Sequence, residues 1–257
     1  MLLAVDCGNT NTVFAVFDGD TQRGQWRIAT NPHRTADEYA VWLTQLMSLR
    51  GLGVGDIEHA IVTTVVPGTR RNLDTLLDAH FGVTPLVVRD PNVDLRIEIL
   101  IDRPEQVGAD RLVTAVGAHL LHPQDLIVLD FGTGTSFDVI DDAGNFRGGV
   151  IAPGINLSVE ALYMAGALLP RVNIDKPEKV IGGATVPAMQ SGIFWGYVSM
   201  IEGMIPRIAD EYGKPVKVIA TGGLAPLFAD VIGMIDATEP DLTLTGLREI
   251  ARRNGIA

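Results

Sequence analysis

The stretch VDCGNTNTVF at residues 5–14 has a counterpart, LDFGTGTSFD, at residues 129–138, about half the chain further on. In each stretch an apolar run leads to an aspartate, Asp6 or Asp130, and a glycine follows two places later. Small hydroxyl or amide residues come next, and a second apolar run follows them. This pattern predicts two antiparallel strands joined by a tight turn. Because the pattern occurs twice, it predicts two domains built to one plan.

The elements that surround each repeat follow a similar order. Their predicted positions are strands at 24–29, 59–66, 146–151 and 216–220, and helices at 36–50, 70–80, 112–121 and, in the second half, 157–168 or 187–212. Strands that alternate with helices in this way are typical of α/β proteins. We therefore predict an α/β fold of two similar lobes, residues 1–115 and 116–257, with a cleft between them.

Composition and charge exclude several classes of protein. The chain has 257 residues, of which 47% are hydrophobic, and its 20 Lys and Arg against 31 Asp and Glu give a net charge of −11. This acidic balance argues against nucleic acid as a partner, since nucleic-acid binding depends on clustered basic residues. Cys7 is the single cysteine, so no internal disulfide is expected and we predict a cytoplasmic protein. The longest apolar run, residues 192–205, contains Glu202 and is shorter than the roughly 20 residues of a membrane-spanning helix, so no membrane partner is expected.

The two repeated turns carry groups that suit phosphate. Gly8 and Gly132 allow close approach of the backbone, whose N–H groups can point at an anion. Further donors are supplied by the side chains of Asn9, Thr10, Thr133, Thr135 and Ser136. Asp6 would serve as a hard oxygen ligand for Mg²⁺, usually through water. The alternative is a pair of ordinary hairpin turns, in which the same residue types are common; the repeat favours phosphate binding.

A further glycine-containing turn follows a predicted strand in the second half of the chain. Thr221-Gly222-Gly223-Leu224 leads from this strand into a helix, and glycine there would let the adenosine part of a nucleotide lie against the backbone. Taken alone, the same residues fit a plain strand-to-helix turn. The sequence contains no G-x-x-x-x-G-K-[ST] motif, so a P-loop protein is not indicated.

Gly108-Ala109-Asp110-Arg111 precedes the helix predicted over 112–121. This spacing favours Asp110 as the N-cap of the helix. The functional alternative is that Asp110 accepts the proton of a substrate hydroxyl while Arg111 holds an anionic group of the substrate. A helix N-terminus is expected to lower the pKa of Asp110, which would weaken it as a base. In a loose phosphoryl-transfer transition state, however, orientation of the hydroxyl matters more than the strength of the base.

Other candidate sites receive less support from the sequence. The histidines form no metal-binding pattern with glutamate, and the G-x-S-x-G motif of a hydrolase nucleophile is missing. The helix predicted over 187–212 is apolar on more than one face, which favours a subunit interface over a purely internal position. Its residues at that interface would be Trp195, Tyr197, Met200 and Met204.

Several short motifs occur together in one order along the chain. They are Asp6-x-Gly8-Asn9-Thr10, Gly108-Ala109-Asp110-Arg111, Asp130-Phe131-Gly132-Thr133, Gly148-Gly149-x-Ile151-x-Pro153-Gly154, Leu169-Pro170, Ile181-Gly182 with Thr185, Ser191-Gly192 with Gly196, and Thr221-Gly222-Gly223. With these motifs, over nearly its whole length, the sequence resembles the type III pantothenate kinases. That family belongs to the acetate kinase, sugar kinase, Hsp70 and actin superfamily. The resemblance implies two duplicated ribonuclease H-like lobes, the actin-like ATPase fold, with an interlobe cleft.

The resemblance also implies an activity, which is ATP-dependent phosphorylation of pantothenate to 4'-phosphopantothenate, the first step of coenzyme A biosynthesis. Asp110 would be the catalytic proton acceptor, and Asp130 would hold a monovalent cation, K⁺ or NH₄⁺. The residues that would bind ATP are Asp6, Cys7, Gly8, Asn9, Thr10, Asn11, Thr12, Val13 and Thr133, with Mg²⁺ held at Asp6 through water. The residues that would bind pantothenate are Gly108, Ala109, Asp110, Arg111 and Thr185, near the interface of a homodimer.

Some positions depart from the family pattern. Gly134 and Ser136 replace an alanine and a threonine of the usual phosphate turn, and both changes keep small size and hydroxyl chemistry. Ala184 stands where an asparagine is common, and Leu100 and Ile101 occupy the neighbourhood in which some members have a tyrosine. We expect these changes to affect substrate affinity. Two other functions stay open: another small-molecule kinase of the same superfamily, and a catalytically silent nucleotide-binding regulator.

Overall fold

The computed structural model describes residues 1–166 and 169–256, so the end of the helix predicted over 157–168 lies outside the described residues. Within these residues the strands are β1 (Leu2–Cys7), β2 (Asn11–Asp18), β3 (Thr21–Ala29), β4 (His59–Thr64), β5 (Leu86–Val87), β6 (Leu126–Phe131), β7 (Gly134–Ile140), β8 (Phe146–Pro153), β9 (Lys217–Thr221) and β10 (Ala237–Thr238). The α-helices are α1 (Ala36–Ser48), α2 (Arg70–Thr75), α3 (Ala109–Leu121), α4 (Ile155–Ala165), α5 (Thr185–Tyr212), α6 (Ala225–Ala229) and α7 (Leu242–Arg253).

The chain divides into two compact units. The first unit comprises Met1–His122, Gly144–Phe146 and Asp241–Ala257, and the second comprises Pro123–Ala143 and Arg147–Pro240. The last helix, α7, is therefore part of the first unit. The predicted boundary between residues 115 and 116 lies inside α3.

A five-stranded sheet in the order β3-β2-β1-β4-β5 forms the centre of the first unit. Strands β1, β2 and β3 are an antiparallel meander, whereas β4 pairs with β1, and β5 with β4, in parallel. Helices cover both faces of this sheet, which explains why β1 reads as an almost continuous apolar run. On one face the core includes Tyr39 and Leu43 of α1. On the other it includes Val113 of α3 and Leu247 of α7.

Helix α1 shows how local sequence sets an element of this unit. Thr35 is the N-cap, and its side chain accepts a hydrogen bond from the Glu38 N–H while Glu38 Oε2 accepts one from the Thr35 N–H. This reciprocal arrangement satisfies two backbone donors that the first turn leaves unpaired. Tyr39, Leu43 and Met47 then recur every four residues and are completely buried. The amphipathic helix predicted over 36–50 is confirmed, with its end two residues earlier.

Helices α3 and α7 pack against each other with their backbones in contact. A Cβ atom at Gly117 would lie 2.1 Å from the carbonyl oxygen of Leu242, and one at Gly246 would lie 1.9 Å from the carbonyl oxygen of Val113. Glycine is required at both positions because no side chain fits there. The close crossing fixes α3, the helix that carries Asp110, against the first sheet.

The second unit repeats the first. Its sheet has the order β10-β9-β6-β7-β8, which is the order of the first sheet with each strand replaced by its counterpart. Strand β7 is antiparallel to β6, and β9 and β10 extend the sheet in parallel. Phe194 and Ile201 of α5 and Phe228 of α6 are buried in the core that includes β6 and β9. The predicted α/β fold with two duplicated lobes is confirmed. No helix in the described part of the chain is long and apolar enough to cross a membrane.

Candidate functional site

Asp6 and the turn after it lie at the carboxyl end of β1, in the middle of the first sheet. Asp6 is half-buried. The Gly8 N–H donates a hydrogen bond to the Asn11 carbonyl at 3.0 Å and closes the turn. Thr30, which follows β3, fixes the turn from the side: its hydroxyl donates to the Gly8 carbonyl at 2.7 Å and its N–H to the Thr10 carbonyl at 2.9 Å. Sequence reasoning missed Thr30, because only the meander brings it beside the turn.

The residues predicted to bind ATP divide into two sets. Asn9, Thr10 and Asn11 are exposed, and Gly8 is half-buried, so a ligand can reach them. The side chains of Cys7, Thr12 and Val13 are buried beneath the turn. Cys7 Sγ lies 3.3 Å from both Thr12 Oγ1 and Thr69 Oγ1, and Thr12 Oγ1 is 2.9 Å from Thr30 Oγ1. These buried side chains support the turn, and only their backbone atoms are suited to contact a ligand.

Asp110 lies in the first turn of α3, but it is not the N-cap. The cap is Gly108, and the helix begins at Ala109, three residues before the predicted start. The Arg111 N–H donates a hydrogen bond to Asp110 Oδ1 at 2.8 Å. Burial raises the pKa of the Asp110 carboxyl, and the Arg111 N–H and the Arg111 charge lower it by less. The expectation of an N-cap is wrong because the helix begins before Asp110, and the expectation of a lowered pKa is wrong because burial outweighs the groups that lower it.

Gly108 is packed against the Asp110 carboxylate. A Cβ atom at Gly108 would lie 2.5 Å from Asp110 Oδ1 and 3.8 Å from Cγ1 of Val65, the residue just beyond β4. Its backbone angles, φ −58° and ψ 140°, are open to any residue. Glycine is needed here for space, since any side chain would push against the carboxylate.

Arg111 follows Asp110 and is held by an aromatic ring. The centre of its guanidinium lies 5.3 Å from the centroid of the Phe146 ring, and Phe146 is 1% exposed. The Phe146 N–H donates to the Glu98 carbonyl at 2.9 Å, and the Leu100 N–H donates to the Phe146 carbonyl at 2.8 Å. These two backbone hydrogen bonds join the segment that contains Leu100 to Phe146, whose ring lies against the Arg111 guanidinium. No local pattern in the sequence indicated Phe146 as part of this arrangement.

Asp130 is the counterpart of Asp6 in the second unit and is surrounded by glycine. Gly222 has φ +91°, and a Cβ there would lie 2.6 Å from Asp130 Oδ1 and 2.7 Å from the Phe131 carbonyl oxygen. A Cβ at Gly154 would lie 2.2 Å from the Thr133 carbonyl oxygen. Thr133 and Gly132 are exposed. The Asp130 carboxylate oxygen and backbone carbonyl oxygens therefore lie close together beside an exposed turn.

The oxygen atoms at Asp6 and Asp130 have the chemistry of cation ligands. Hard oxygen donors suit alkali and alkaline-earth ions, and Asp130 Oδ1 with the Phe131 carbonyl supplies two of them near Gly222. Mg²⁺ in phosphate-transfer sites keeps several waters and takes only one or two carboxylates, which suits the single half-buried Asp6. No group of three or more His, Cys, Asp or Glu residues able to hold a metal occurs in the described ranges. The residues thus fit cations that bind together with phosphate rather than a closed protein cage.

Next to the second turn, Thr135 and Ser136 face different partners. The buried Thr135 hydroxyl forms a hydrogen bond with the Tyr197 hydroxyl of α5, and the Ser136 hydroxyl donates to Asp138 at 3.1 Å. Burial raises the pKa of Tyr197, and the nearby charge of Asp130 raises it further against the Thr135 hydrogen bond. Of the predicted donors in this turn, Thr133 alone is exposed.

Thr185 is the first residue of α5 and is exposed. It lines a cavity of about 710 Å³ within the second unit. The cavity wall is formed mainly by α4, α5 and the residues before α4: Pro153, Ser158, Leu162, Leu169, Ala188, Met189, Gly192, Ile193, Gly196, Tyr197 and Met200. It is an apolar pocket with a few hydroxyl groups, large enough for a small organic molecule.

Comparisons with known proteins agree over the length of the chain. A family model described as "Type III pantothenate kinase" matches residues 2–207. A type III pantothenate kinase of Rhodospirillum rubrum is 60% identical over 254 residues, covering 99% of each chain. One from Paramagnetospirillum magneticum is 61% identical, covering 99% of this chain and 98% of its own. The chain belongs to the type III pantothenate kinase family.

The part of the chain that matches the type III pantothenate kinase model contains the turn after Asp6, and also Asp110, Asp130 and Thr185, but ends before Gly222. A solved structure supports the fold. The activator of 2-hydroxyisocaproyl-CoA dehydratase from Clostridium difficile, with bound ADPNP, has a TM-score of 0.56 at 14% identity, covering 98% of this chain and 93% of its own. The predicted actin-like ATPase fold is confirmed for this member of the type III pantothenate kinase family.

Proposed function

We propose that the protein is a pantothenate kinase, which transfers the γ-phosphoryl group of ATP to the primary hydroxyl of pantothenate and gives ADP and 4'-phosphopantothenate. This is the first step of coenzyme A biosynthesis. Membership of the type III pantothenate kinase family over nearly the full chain carries the proposal. The half-buried Asp110, in the first turn of α3, supplies a carboxylate with the chemistry that the reaction needs.

Asp110 acts as the proton acceptor in this proposal. The pantothenate hydroxyl oxygen attacks the γ-phosphorus, the bond from that phosphorus to the bridging oxygen of ADP breaks, and the hydroxyl proton passes to Asp110. A pKa raised by burial moves this carboxyl closer to the working pH, where a general base is most effective. Most of the rate enhancement comes from orientation and charge neutralisation, because a loose phosphoryl-transfer transition state needs little covalent help.

Pantothenate binding is proposed at two places in the chain. Gly108, Ala109 and Arg111 contact it beside Asp110, and the planar guanidinium of Arg111 pairs with an anionic group of the substrate. The Phe146 ring under Arg111 restricts the guanidinium, which supports this role. In the second unit Thr185 offers its exposed hydroxyl at the wall of the 710 Å³ cavity.

ATP is proposed to bind to residues of both repeated turns. Gly8, Asn9, Thr10 and Asn11 offer exposed or half-exposed groups, and Thr133 offers the corresponding hydroxyl in the second turn. The supporting residues of the first turn, which are Asp6, Cys7, Thr12 and Val13, add mainly backbone contacts and the water-mediated Mg²⁺ contact at Asp6. Mg²⁺ would neutralise charge on the phosphates. Asp130 would hold K⁺ or NH₄⁺, as the oxygen atoms close to Gly222 suggest.

We also propose a cytoplasmic homodimer. Exposed apolar side chains of the second unit support the dimer: Tyr163 and Met164 of α4 are 40% and 76% exposed, and Val180 and Ile181 before α5 are 67% and 88% exposed. These side chains differ from the residues predicted from sequence, because Tyr197 is buried, and Trp195, Met200 and Met204 are half-buried against the core of the second unit. Light scattering coupled to size exclusion would give the mass of the assembly.

One assay tests the function. Purified protein is incubated with ATP, Mg²⁺ and K⁺ and either pantothenate or a panel of sugars and short-chain acids, and the phosphorylated products are identified by mass spectrometry. We expect product from pantothenate alone, with activity lost when Mg²⁺ or the monovalent cation is withheld. Product from a sugar or an acid would identify a different small-molecule kinase. ATP binding without turnover of any substrate would identify a silent regulator.

A further inference from the structure

Three buried side-chain polar atoms in the described residues have no hydrogen-bond partner: Tyr39 Oη, Thr63 Oγ1 and Trp195 Nε1. Thr63 differs from the other two in its position. It is completely buried near the carboxyl end of β4, a central strand, and stands in register with Asp6 on the neighbouring parallel strand β1. Residues in register on parallel strands point to the same face of the sheet, so the Thr63 hydroxyl and the Asp6 carboxylate are neighbours.

The face that they share is otherwise apolar. Leu2 and Ala4 of β1 and Ile61 of β4 point the same way and are buried with Ala109 of α3. Val65, two places after Thr63, contacts the space beside Gly108. Thr63 therefore faces the side of the sheet covered by the start of α3, the helix turn that carries Asp110. A hydroxyl at this position therefore stands beside Asp6, on the face of the sheet that the first turn of α3 covers.

The second unit repeats the same pair. Asp130 on β6 stands in register with Thr221 on the parallel strand β9, and Thr221 is 3% exposed. An aspartate and a threonine thus lie side by side at the ends of the two central parallel strands in both sheets. Apart from His59, Thr64 and Lys217 at strand ends, the other residues of β1, β4, β6 and β9 are apolar, so packing alone does not account for a hydroxyl at both places.

Leaving a buried hydroxyl unpaired lowers stability, and a valine would fill the same space without that cost. Other threonines near the first turn do not show this defect. Thr64 and Thr69, for example, lie 3.1 Å apart through their hydroxyls, and the Thr69 hydroxyl donates to the Val66 carbonyl at 2.8 Å. Unpaired buried groups in native proteins are rare and concentrate at functional sites.

We propose that Thr63 is a positioning residue for Asp6: its hydroxyl donates a hydrogen bond to the Asp6 carboxylate in the complex with ATP and Mg²⁺ and fixes the orientation of that carboxylate. The inference rests on the proposed function. Side chains that face each other on adjacent strands are about 5 Å apart at Cβ, so rotation of Thr63 about its Cα–Cβ bond brings the hydroxyl to the carboxylate. A carboxylate has about four acceptor positions, and it can accept this bond in addition to its other contacts.

Two substitutions separate this role from a packing role. Thr63→Val keeps the shape of the side chain and removes the hydroxyl, whereas Thr63→Ser keeps the hydroxyl. The measurements are the thermal unfolding temperature, the binding of Mn²⁺ to the complex with a non-hydrolysable ATP analogue by electron paramagnetic resonance, and the Mg²⁺ dependence of kcat. For Thr63→Val we expect an equal or higher unfolding temperature and about tenfold weaker binding of the divalent ion, from the loss of one hydrogen bond to a charged acceptor. Thr63→Ser should bind the ion within about threefold of the unsubstituted protein.

Thr114→Val is the matched control. Thr114 is also a buried threonine of the first unit, but its hydroxyl is paired with that of Thr243 at 2.9 Å. Its substitution should lower the unfolding temperature and leave divalent-ion binding unchanged. Unchanged Mn²⁺ binding in Thr63→Val would overturn the inference, and so would equal losses in Thr63→Val and Thr63→Ser accompanied by a lower unfolding temperature. Failure of the unsubstituted protein to phosphorylate pantothenate would instead refute the proposed function.

Discussion

Replacing Gly108 by alanine should disturb the Asp110 carboxylate while leaving the fold intact. The added Cβ would lie 2.5 Å from Asp110 Oδ1, whereas carbon and oxygen in contact need about 3.2 Å. The carboxylate must therefore move by about 0.7 Å or rotate. The next nearest atoms, Asp110 Cγ at 3.6 Å and Val65 Cγ1 at 3.8 Å, are at ordinary contact distance. The strain thus falls on one side chain, which can shift by rotation at the cost of its hydrogen bond from the Arg111 N–H.

The expected effects on rate and on stability differ in size. A displacement of nearly 1 Å between reacting groups can cost about 10²-fold in rate, so we expect kcat with pantothenate to fall by about that factor. Stability should change by less than about 1 kcal/mol. Alanine is a poorer N-cap than glycine, but it also restricts the unfolded chain, and these effects oppose each other. Gly108 has backbone angles that alanine adopts without strain.

The assay is steady-state production of ADP at saturating ATP, with thermal unfolding measured on the same samples. Gly55→Ala is the control, because Gly55 is an exposed residue of the first unit with no atom within 4 Å of an added Cβ. It should leave both kcat and the unfolding temperature close to their original values. A Gly108→Ala protein with kcat within about threefold of the original would refute the reasoning that Asp110 must be held at this position.

Three further predictions follow from the two units. Asp110→Asn should reduce kcat by about 10²-fold or more. Because burial raises the pKa of the Asp110 carboxyl, its negative charge lowers the stability of the folded protein above pH 3.8. Thermal scans should therefore show a higher unfolding temperature for Asp110→Asn at pH 7 and no gain below pH 3.8. Gly222→Ala should lower the free energy of unfolding by more than about 1 kcal/mol, since φ is +91° and the added Cβ would lie 2.6 Å from Asp130 Oδ1. The neighbouring Gly223 has open space around an added Cβ, so Gly223→Ala should change this free energy by less than about 0.5 kcal/mol. Denaturant titrations measure both. Thr185→Ala should raise KM for pantothenate by about tenfold and change kcat much less, and an unchanged KM would remove Thr185 from the substrate site.

The repeat of an aspartate, a glycine and two apolar runs was sufficient to predict the architecture, because it determines local geometry. Each copy specifies two antiparallel strands and a tight turn. A strand that follows a crossover helix then pairs in parallel with the first strand of the copy, as β4 does with β1 and β9 with β6. The strand predicted at 24–29 belongs to β3, and the helix predicted over 70–80 is α2 continued by a π-helical turn at Leu76–His80. These elements are determined by residues that are close together in the sequence, so local sequence patterns predict them.

Features that depend on distant neighbours were not predicted. Helix α7 packs on α3 in the first unit, whereas the predicted division assigns residues 116–257 to the second lobe, and no local pattern specifies which sheet a surface helix will cover. The direction of the pKa shift of Asp110 was predicted from the helix dipole alone, but burial outweighs it. Likewise Gly108 and Phe146 acquire their importance from atoms that the fold brings to them. The roles of Asp6, Asp110 and Asp130 stay predictions that the proposed assays test.

The close crossing of α3 and α7 has a consequence for biosynthesis. During translation, Gly117 emerges from the ribosome more than a hundred residues before Gly246. Helix α3, which carries Asp110, is therefore synthesised before the whole second unit, and α7 is synthesised after it. The nascent chain thus holds an uncovered apolar surface on its earliest-made sheet until synthesis is almost finished, and a premature stop shortly before Leu242 would release a protein whose second unit is complete and whose first is not.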